Sequence, residues 1–159
     1  MKIGLSDYLP IIYIYVISIT LTYVIKIFFS IDLRDSISIF LGIFSLIFAF
    51  FKIIRLRDFV EAFSEYDFIT QKFRLYGYIF PFIELVFGIL FLYLVDITLI
   101  ELVCLLFFSI NFISVLNALS KNRKFVCACL GDLIKLPLSK VSLFENLTMI
   151  FGVIYLILN

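Results

Sequence analysis

The sequence predicts an all-α fold, a polytopic transmembrane helical bundle of four to five spans with one interfacial amphipathic helix. Of its 159 residues, 64% are hydrophobic and the mean hydropathy is +1.20, whereas soluble domains contain about 45–50% apolar residues. The apolar residues also form runs near the roughly 20 residues that a helix needs to cross a bilayer. Lipid is therefore the expected solvent for most of the chain, and residues 1–159 are expected to form one transmembrane domain.

Five segments have the length and composition of membrane spans. In chain order they cover residues 8–30, 36–54, 76–95, 97–119 and 139–158. Capping-box patterns support the last two: Thr98 precedes Glu101 by three residues, and Ser142 precedes Glu145 in the same way. Because the third and fourth spans are joined almost directly through Asp96, we expect them to form a tight antiparallel hairpin.

Small and polar residues line one face of several spans. In the second span the stripe consists of Ser38, Gly42, Ser45 and Ala49, and in the third of Gly77, Pro81, Glu84 and Gly88. Helices in lipid associate through such residues because lipid is as apolar as leucine. Each stripe is therefore expected to face a neighbouring helix, and the alternative is that the stripes line a cavity.

The segment between the second and third spans predicts an amphipathic helix over residues 57–73. Its apolar residues recur at helical steps and are Phe59, Phe63, Tyr66 and Phe73. Its polar residues largely fill the other side and are Asp58, Glu61, Glu65, Asp67, Gln71 and Lys72. This pattern is typical of a helix that lies in the membrane interface, and a linker helix packed on the bundle would show the same pattern.

The basic residues are distributed unevenly about the five spans. Eleven of the 13 lie on the side of the N-terminus: Lys2, Lys52, Arg55, Arg57, Lys72, Arg74, Lys121, Arg123, Lys124, Lys135 and Lys140. The opposite side carries only Lys26 and Arg34. The positive-inside rule therefore places the N-terminus and the loop before the fifth span in the cytoplasm.

Charge and composition also exclude several classes of function. The net charge of +1 provides no basic field for nucleic acid. Histidine is absent, so a Ser-His-Asp enzyme is excluded and any metal site must use Cys, Met or carboxylate ligands. We expect no classical enzyme and no required cofactor.

Three polar residues are predicted at similar depth inside the spans: Glu84, Asn111 and Glu145. Glu84 and Asn111 lie eight residues from the nearer ends of their spans, about 12 Å along the helix, and Glu145 lies about 9 Å deep. We expect an intramembrane polar layer in which Glu84 and Asn111 hydrogen-bond and at least one carboxyl group is protonated at neutral pH. A carboxylate at this depth is a functional-site hypothesis, and the alternative is a hydrogen bond that locks two helices together.

Cys127 and Cys129 form a Cys-x-Cys pair that follows the basic segment 121–124. The spacing brings two sulfurs within reach of one metal or one disulfide, whose tight ring would be strained and easily reduced. The neighbouring positive charges favour the reactive thiolate. The pair is therefore a candidate catalytic redox site or, alternatively, a site for a soft metal ion such as copper, mercury or zinc.

Several motifs of this chain occur together in one known family. They are residues 41–52, 66–70, 78–88 with Pro-Phe-Ile-Glu, 127–131 with Cys-Ala-Cys-Leu-Gly, 135–146 and Met149. Together they resemble the MauE/DoxX family of redox-associated bacterial membrane proteins, in the subgroup that carries Cys-Ala-Cys-Leu-Gly. The resemblance covers about residues 41–158, and the first forty residues match only as a hydrophobic span.

This resemblance implies a small helical bundle in the bacterial inner membrane. MauE is associated with methylamine utilisation, where it assists maturation of the disulfide-rich methylamine dehydrogenase. The leading hypothesis is that Cys127 and Cys129 assist thiol–disulfide redox or maturation of a partner protein, with a thioredoxin-like partner. The alternatives are soft-metal handling with a metal-binding protein partner, and a non-catalytic membrane scaffold subunit.

Overall fold

The structure is a computed structural model that describes residues 9–94, 98–120 and 138–159. These residues form seven helices: α1 Leu9–Phe29, α2 Leu33–Ile54, α3 Leu56–Ser64, α4 Phe68–Lys72, α5 Arg74–Leu92, α6 Thr98–Ser120 and α7 Leu138–Leu158. Helices α1, α2, α5, α6 and α7 are long and apolar enough to cross a membrane. The predicted all-α bundle is therefore confirmed, with five candidate spans.

The spanning helices pack as two close pairs, α2 with α5 and α6 with α7, and α1 lies along α2. At the crossing of α2 and α5, a Cβ atom on Gly42 would lie only 2.9 Å from the carbonyl oxygen of Gly88. Ser38 and Ser45 of α2 donate hydrogen bonds to backbone carbonyls of α5, at 2.9 Å and 3.0 Å. The small-residue stripe of α2 therefore faces a neighbouring helix, as the sequence predicts.

The two pairs meet partly through phenylalanine side chains. Phe107 of α6 packs between Phe80 and Phe87 of α5, with ring centroids 4.7 Å and 5.6 Å away. These are ordinary separations for favourable aromatic pairs. Because bulky rings lie between α5 and α6, these two helices are further apart than α2 and α5, which meet at glycines.

The segment between α2 and α5 forms two short helices, whereas the sequence analysis predicts a single amphipathic helix there. The break is explained by Asp67, whose carboxylate accepts hydrogen bonds from the backbone of Ile69 at 3.1 Å and of Thr70 at 2.8 Å. It also accepts one from the Thr70 hydroxyl at 2.8 Å. An aspartate at this position caps the first free amides of a new helix. Asp67 is also buried, so its predicted place on the polar side of the helix is wrong.

Helix α3 packs on the bundle through the aromatic face that the sequence predicts. Phe59, Phe63 and Tyr66 are buried, and the rings of Phe63 and Phe80 lie 4.8 Å apart. Phe73, expected on the same face, is exposed because the new helix at Asp67 interrupts the periodicity. The arrangement of α3 is that of a linker helix packed on the bundle. Together α3 and α4 form a cap over one end of the bundle, which we call the α3–α4 end.

Candidate functional site

The interior contains one lysine in contact with two glutamates. The Nζ atom of Lys52 lies 2.7 Å from Oε2 of Glu84 and 2.5 Å from Oε1 of Glu145. All three side chains are at most 3% exposed. Buried charges are rare in proteins unless they are paired. We call these three residues, from α2, α5 and α7, the ion cluster.

The close crossing of α2 and α5 positions the first two members of the cluster. Lys52 continues the small-residue stripe of α2, three residues after Ala49, so it points toward α5. Glu84 lies one turn before Gly88, where the backbones of α2 and α5 come close together. The ammonium group therefore reaches the carboxylate across a short gap.

Aromatic rings surround the ammonium group of Lys52. The Nζ atom lies 5.2 Å from the ring centroid of Phe80 and 5.7 Å from those of Phe48 and Phe59. Rings at this distance attract a cation through their electron-rich faces. Because Phe59 belongs to α3, the α3–α4 end covers the ion cluster.

The cluster carries more acid than base. With every group ionised, two carboxylates and one ammonium have a net charge of −1, which is costly in a membrane interior. Oε1 of Glu84 is buried and has no hydrogen-bond partner among the described residues. If all three groups were ionised, one negative charge inside the bundle would therefore have no positive partner.

Asn111 has a different partner from the one expected. Its Nδ2 atom donates a hydrogen bond of 3.2 Å to Oδ1 of Asn146, so the contact joins α6 to α7 and not α6 to α5. The reason is the packing, because α6 pairs closely with α7 and is separated from α5 by phenylalanines. Of the three residues predicted to form a polar layer, the structure brings Glu84 and Glu145 together through Lys52. Asn111 belongs to a separate amide pair.

The sequence pattern does not reveal the role of Lys52. By its position it belongs with the basic side chains of the predicted cytoplasmic surface, but the structure buries it. The signal that identifies it is the stripe in α2, which ends at Lys52 after Ser45 and Ala49. Ten basic residues remain in the count on the predicted cytoplasmic side, so the bias in charge persists.

Two hydroxyl groups meet where the α3–α4 end contacts α7. The hydroxyls of Tyr66 and Ser142 are buried and 3.3 Å apart. Ser142 lies three residues before Glu145 on α7, so the two side chains share a face of that helix. On the other flank of α7, Tyr15 of α1 hydrogen-bonds Thr148. The cluster is therefore part of a wider polar interior.

An ion pair also joins α2 to α6 at the other end of the bundle. Arg34 Nη2 lies 3.1 Å from Oε1 of Glu101, and the glutamate is almost fully buried.

The predicted thiol site lies outside the described residues. Cys127 and Cys129 belong to residues 121–137, so both the redox interpretation and the metal interpretation stay predictions. Cys104 is buried in α6 as a free cysteine. Within the parts of the chain that the structure describes, no group of three or more His, Cys, Asp or Glu residues is arranged to hold a metal ion.

The fold and the ion cluster define the chain as a multi-pass helical membrane protein with a buried lysine–diglutamate site. A family model described as methylamine utilisation protein MauE matches residues 17–159. The chain belongs to this family, and the resemblance to MauE is confirmed. The DoxX likeness and the Cys-Ala-Cys-Leu-Gly subgroup stay predictions. Comparisons with curated proteins and with solved structures give no significant match.

Proposed function

We propose that this protein assists thiol–disulfide redox or maturation of a partner protein at the bacterial inner membrane, through Cys127 and Cys129. The observation that carries the proposal is the match to the MauE family over residues 17–159, which includes the cysteine pair. The family description ties such proteins to methylamine utilisation. A membrane-anchored dithiol is a reasonable device for maturing a disulfide-rich partner.

The proposed chemistry is an exchange between two dithiol–disulfide couples. A thiolate of a partner dithiol attacks the Cys127–Cys129 disulfide and forms a mixed disulfide, which the second partner thiolate then resolves. The partner gains the disulfide, and Cys127 and Cys129 become thiols. The tight Cys-x-Cys ring gives a strained, easily reduced disulfide, and the cytoplasm, where we propose that this loop lies, keeps thiols reduced. The exchange can therefore also run in reverse, so that the dithiol reduces a partner disulfide, and a thioredoxin-like protein is the proposed exchange partner.

The loop that carries Cys127 and Cys129 connects two closely packed helices. The loop joins the C-terminal end of α6 to the N-terminal end of α7, and these two helices form one of the close pairs. Contacts from Tyr66 to Ser142 and from the Phe68 amide to Ser114 attach the α3–α4 cap to the same ends of α6 and α7. We propose that partners approach at this end.

We also propose that this end faces the cytoplasm. Apart from the buried Lys52, ten basic residues belong to the N-terminal segment and the loops of that side, against Lys26 and Arg34 on the other. Labelling in intact vesicles of known orientation with a membrane-impermeant maleimide tests this assignment. Cys104, which is buried, is the internal control that reacts only after unfolding.

The function itself is tested by trapping the thiols in living cells. Acid quenching followed by alkylation should show Cys127 and Cys129 in both oxidised and reduced forms, and a Cys129→Ser variant should accumulate a mixed disulfide with its partner. If the pair stays reduced under every physiological oxidant, the redox proposal fails. Thiol-dependent uptake of Cu(I) by purified protein would favour metal handling instead. An unchanged phenotype of the Cys127→Ser/Cys129→Ser double variant would favour a scaffold subunit.

A further inference from the structure

We propose that the ion cluster of Lys52, Glu84 and Glu145 is a proton-binding site inside the membrane, with one exchangeable proton held by its two carboxyl groups. The observation that carries this inference is one buried ammonium shared by two buried carboxyl groups, at 2.7 Å and 2.5 Å. The inference does not rest on the chemistry of the cysteine pair.

The charges of the cluster balance only when one carboxyl group is protonated. An ammonium group offsets one carboxylate, and the second carboxylate would remain as a net charge without water around it. Removing a charge from water costs several kcal/mol unless it is fully paired. Two carboxylates that share a site also disfavour double ionisation, so one of them retains a proton. With that proton the cluster is neutral.

One carboxylate oxygen of the cluster has no hydrogen-bond donor among the described residues. Oε1 of Glu84 is fully buried and accepts no hydrogen bond among the described residues, whereas its Oε2 contacts Lys52. A buried carboxylate oxygen without a hydrogen-bond donor destabilises the folded protein, because its lost hydration is not replaced. A proton on the carboxyl group removes the charge that this oxygen would otherwise carry unpaired.

The neighbouring titratable groups do not supply the missing positive charge. Tyr15 of α1 lies near enough to Glu145, and Cys104 of α6 near enough to Glu84, to interact electrostatically. Neither a phenol nor a thiol group carries a positive charge. Helix α3 presents the ring of Phe59 to Lys52, and α5 presents that of Phe80. Among the described side chains, the cation that contacts both acids is therefore Lys52.

Exchange of the proton is expected at the α3–α4 end. Lys52 lies within one turn of the end of α2, and Glu145 lies about 10 Å from the start of α7. Ser142 lies three residues before Glu145 on the side of that end, and its hydroxyl is 3.3 Å from that of Tyr66. Each hydroxyl can both donate and accept a hydrogen bond, so the two are the polar groups through which we expect the proton to pass.

Infrared spectroscopy of the purified full-length protein in lipid nanodiscs tests the proposal. The wild-type protein at pH 7 should show the C=O stretching band of a protonated carboxylic acid, shifted in D2O because the proton exchanges. Glu84→Gln and Glu145→Gln should each abolish the band, since the remaining acid then balances Lys52. Lys52→Met should raise the area of the band about twofold, because both acids then need a proton.

The matched control is Glu101→Gln. Glu101 is also buried, but Arg34 balances it, so this variant should leave the band unchanged. Absence of the band from the wild-type protein overturns the proposal. Loss of the band in only one glutamine variant also overturns it, because the proton then belongs to one isolated carboxyl group and is not set by the charge of the cluster. These results do not require Lys52→Met to fold.

Discussion

Replacing Lys52 by methionine should destabilise the bundle strongly, and more than replacing either of its acidic partners. Methionine keeps the length and apolar stem of the side chain, so the change removes little except the ammonium group. With one carboxyl group protonated the cluster contains one full ion pair, which at a separation of 2.5 to 2.7 Å is worth about 6 kcal/mol at an effective dielectric constant near 20. Removing the ammonium group recovers its desolvation cost but leaves two carboxyl groups buried without their partner. The expected loss is about 3–5 kcal/mol in the free energy of unfolding.

The glutamine variants should be much milder. Glu84→Gln or Glu145→Gln leaves Lys52 with one carboxylate, and the amide oxygen can still accept a hydrogen bond from the ammonium group. We expect a loss of about 1 kcal/mol for each, which is typical of one weakened hydrogen bond. The ordering follows from charge balance, because the lysine variant removes the only cation of the cluster and a glutamine variant removes surplus acid.

Reversible unfolding in mixed micelles, followed by far-ultraviolet circular dichroism, measures these differences. The matched control is Lys72→Met, the same chemical change at an exposed position, which should shift stability by less than about 0.5 kcal/mol. Equal losses for the lysine and glutamine variants would refute the charge-balance argument. So would a Lys52→Met protein as stable as the control.

Three further changes test the packing around the site. Gly42→Ala should cost about 1–3 kcal/mol in the same unfolding assay, because its new Cβ would lie 2.9 Å from the Gly88 carbonyl and force α2 from α5; a loss below 0.5 kcal/mol would show that the helices separate freely. Asn146→Leu should cost about 1–3 kcal/mol, since it leaves the buried Asn111 amide without its partner, and adding Asn111→Leu should recover part of that loss. Asp67→Ala removes the acceptor of three hydrogen bonds and should cost about 1–2 kcal/mol, with faster amide hydrogen exchange confined to α4; uniform exchange along the chain would contradict the capping role.

The sequence by itself determined the class of protein and the positions of its spans. Hydrophobic runs near the length of a bilayer crossing are a local property, so residues 36–54 of the second predicted span agree closely with α2 at Leu33–Ile54. Local motifs also indicate the family. The break at Asp67 is predictable in principle, because an aspartate before a short helix is a capping signal. The aromatic periodicity around it favours one continuous helix, but in the structure Asp67 starts a new helix.

Only the tertiary structure decided which polar groups meet. Depth along a helix can be counted from the sequence, and that count placed Glu84, Asn111 and Glu145 near one level. The partner of each depends on which helices pack together, and this is set by glycines between α2 and α5 and by phenylalanines between α5 and α6. The sequence alone therefore places Lys52 among the surface charges, whereas the fold turns its stripe inward, where one cation and two acids share a buried site.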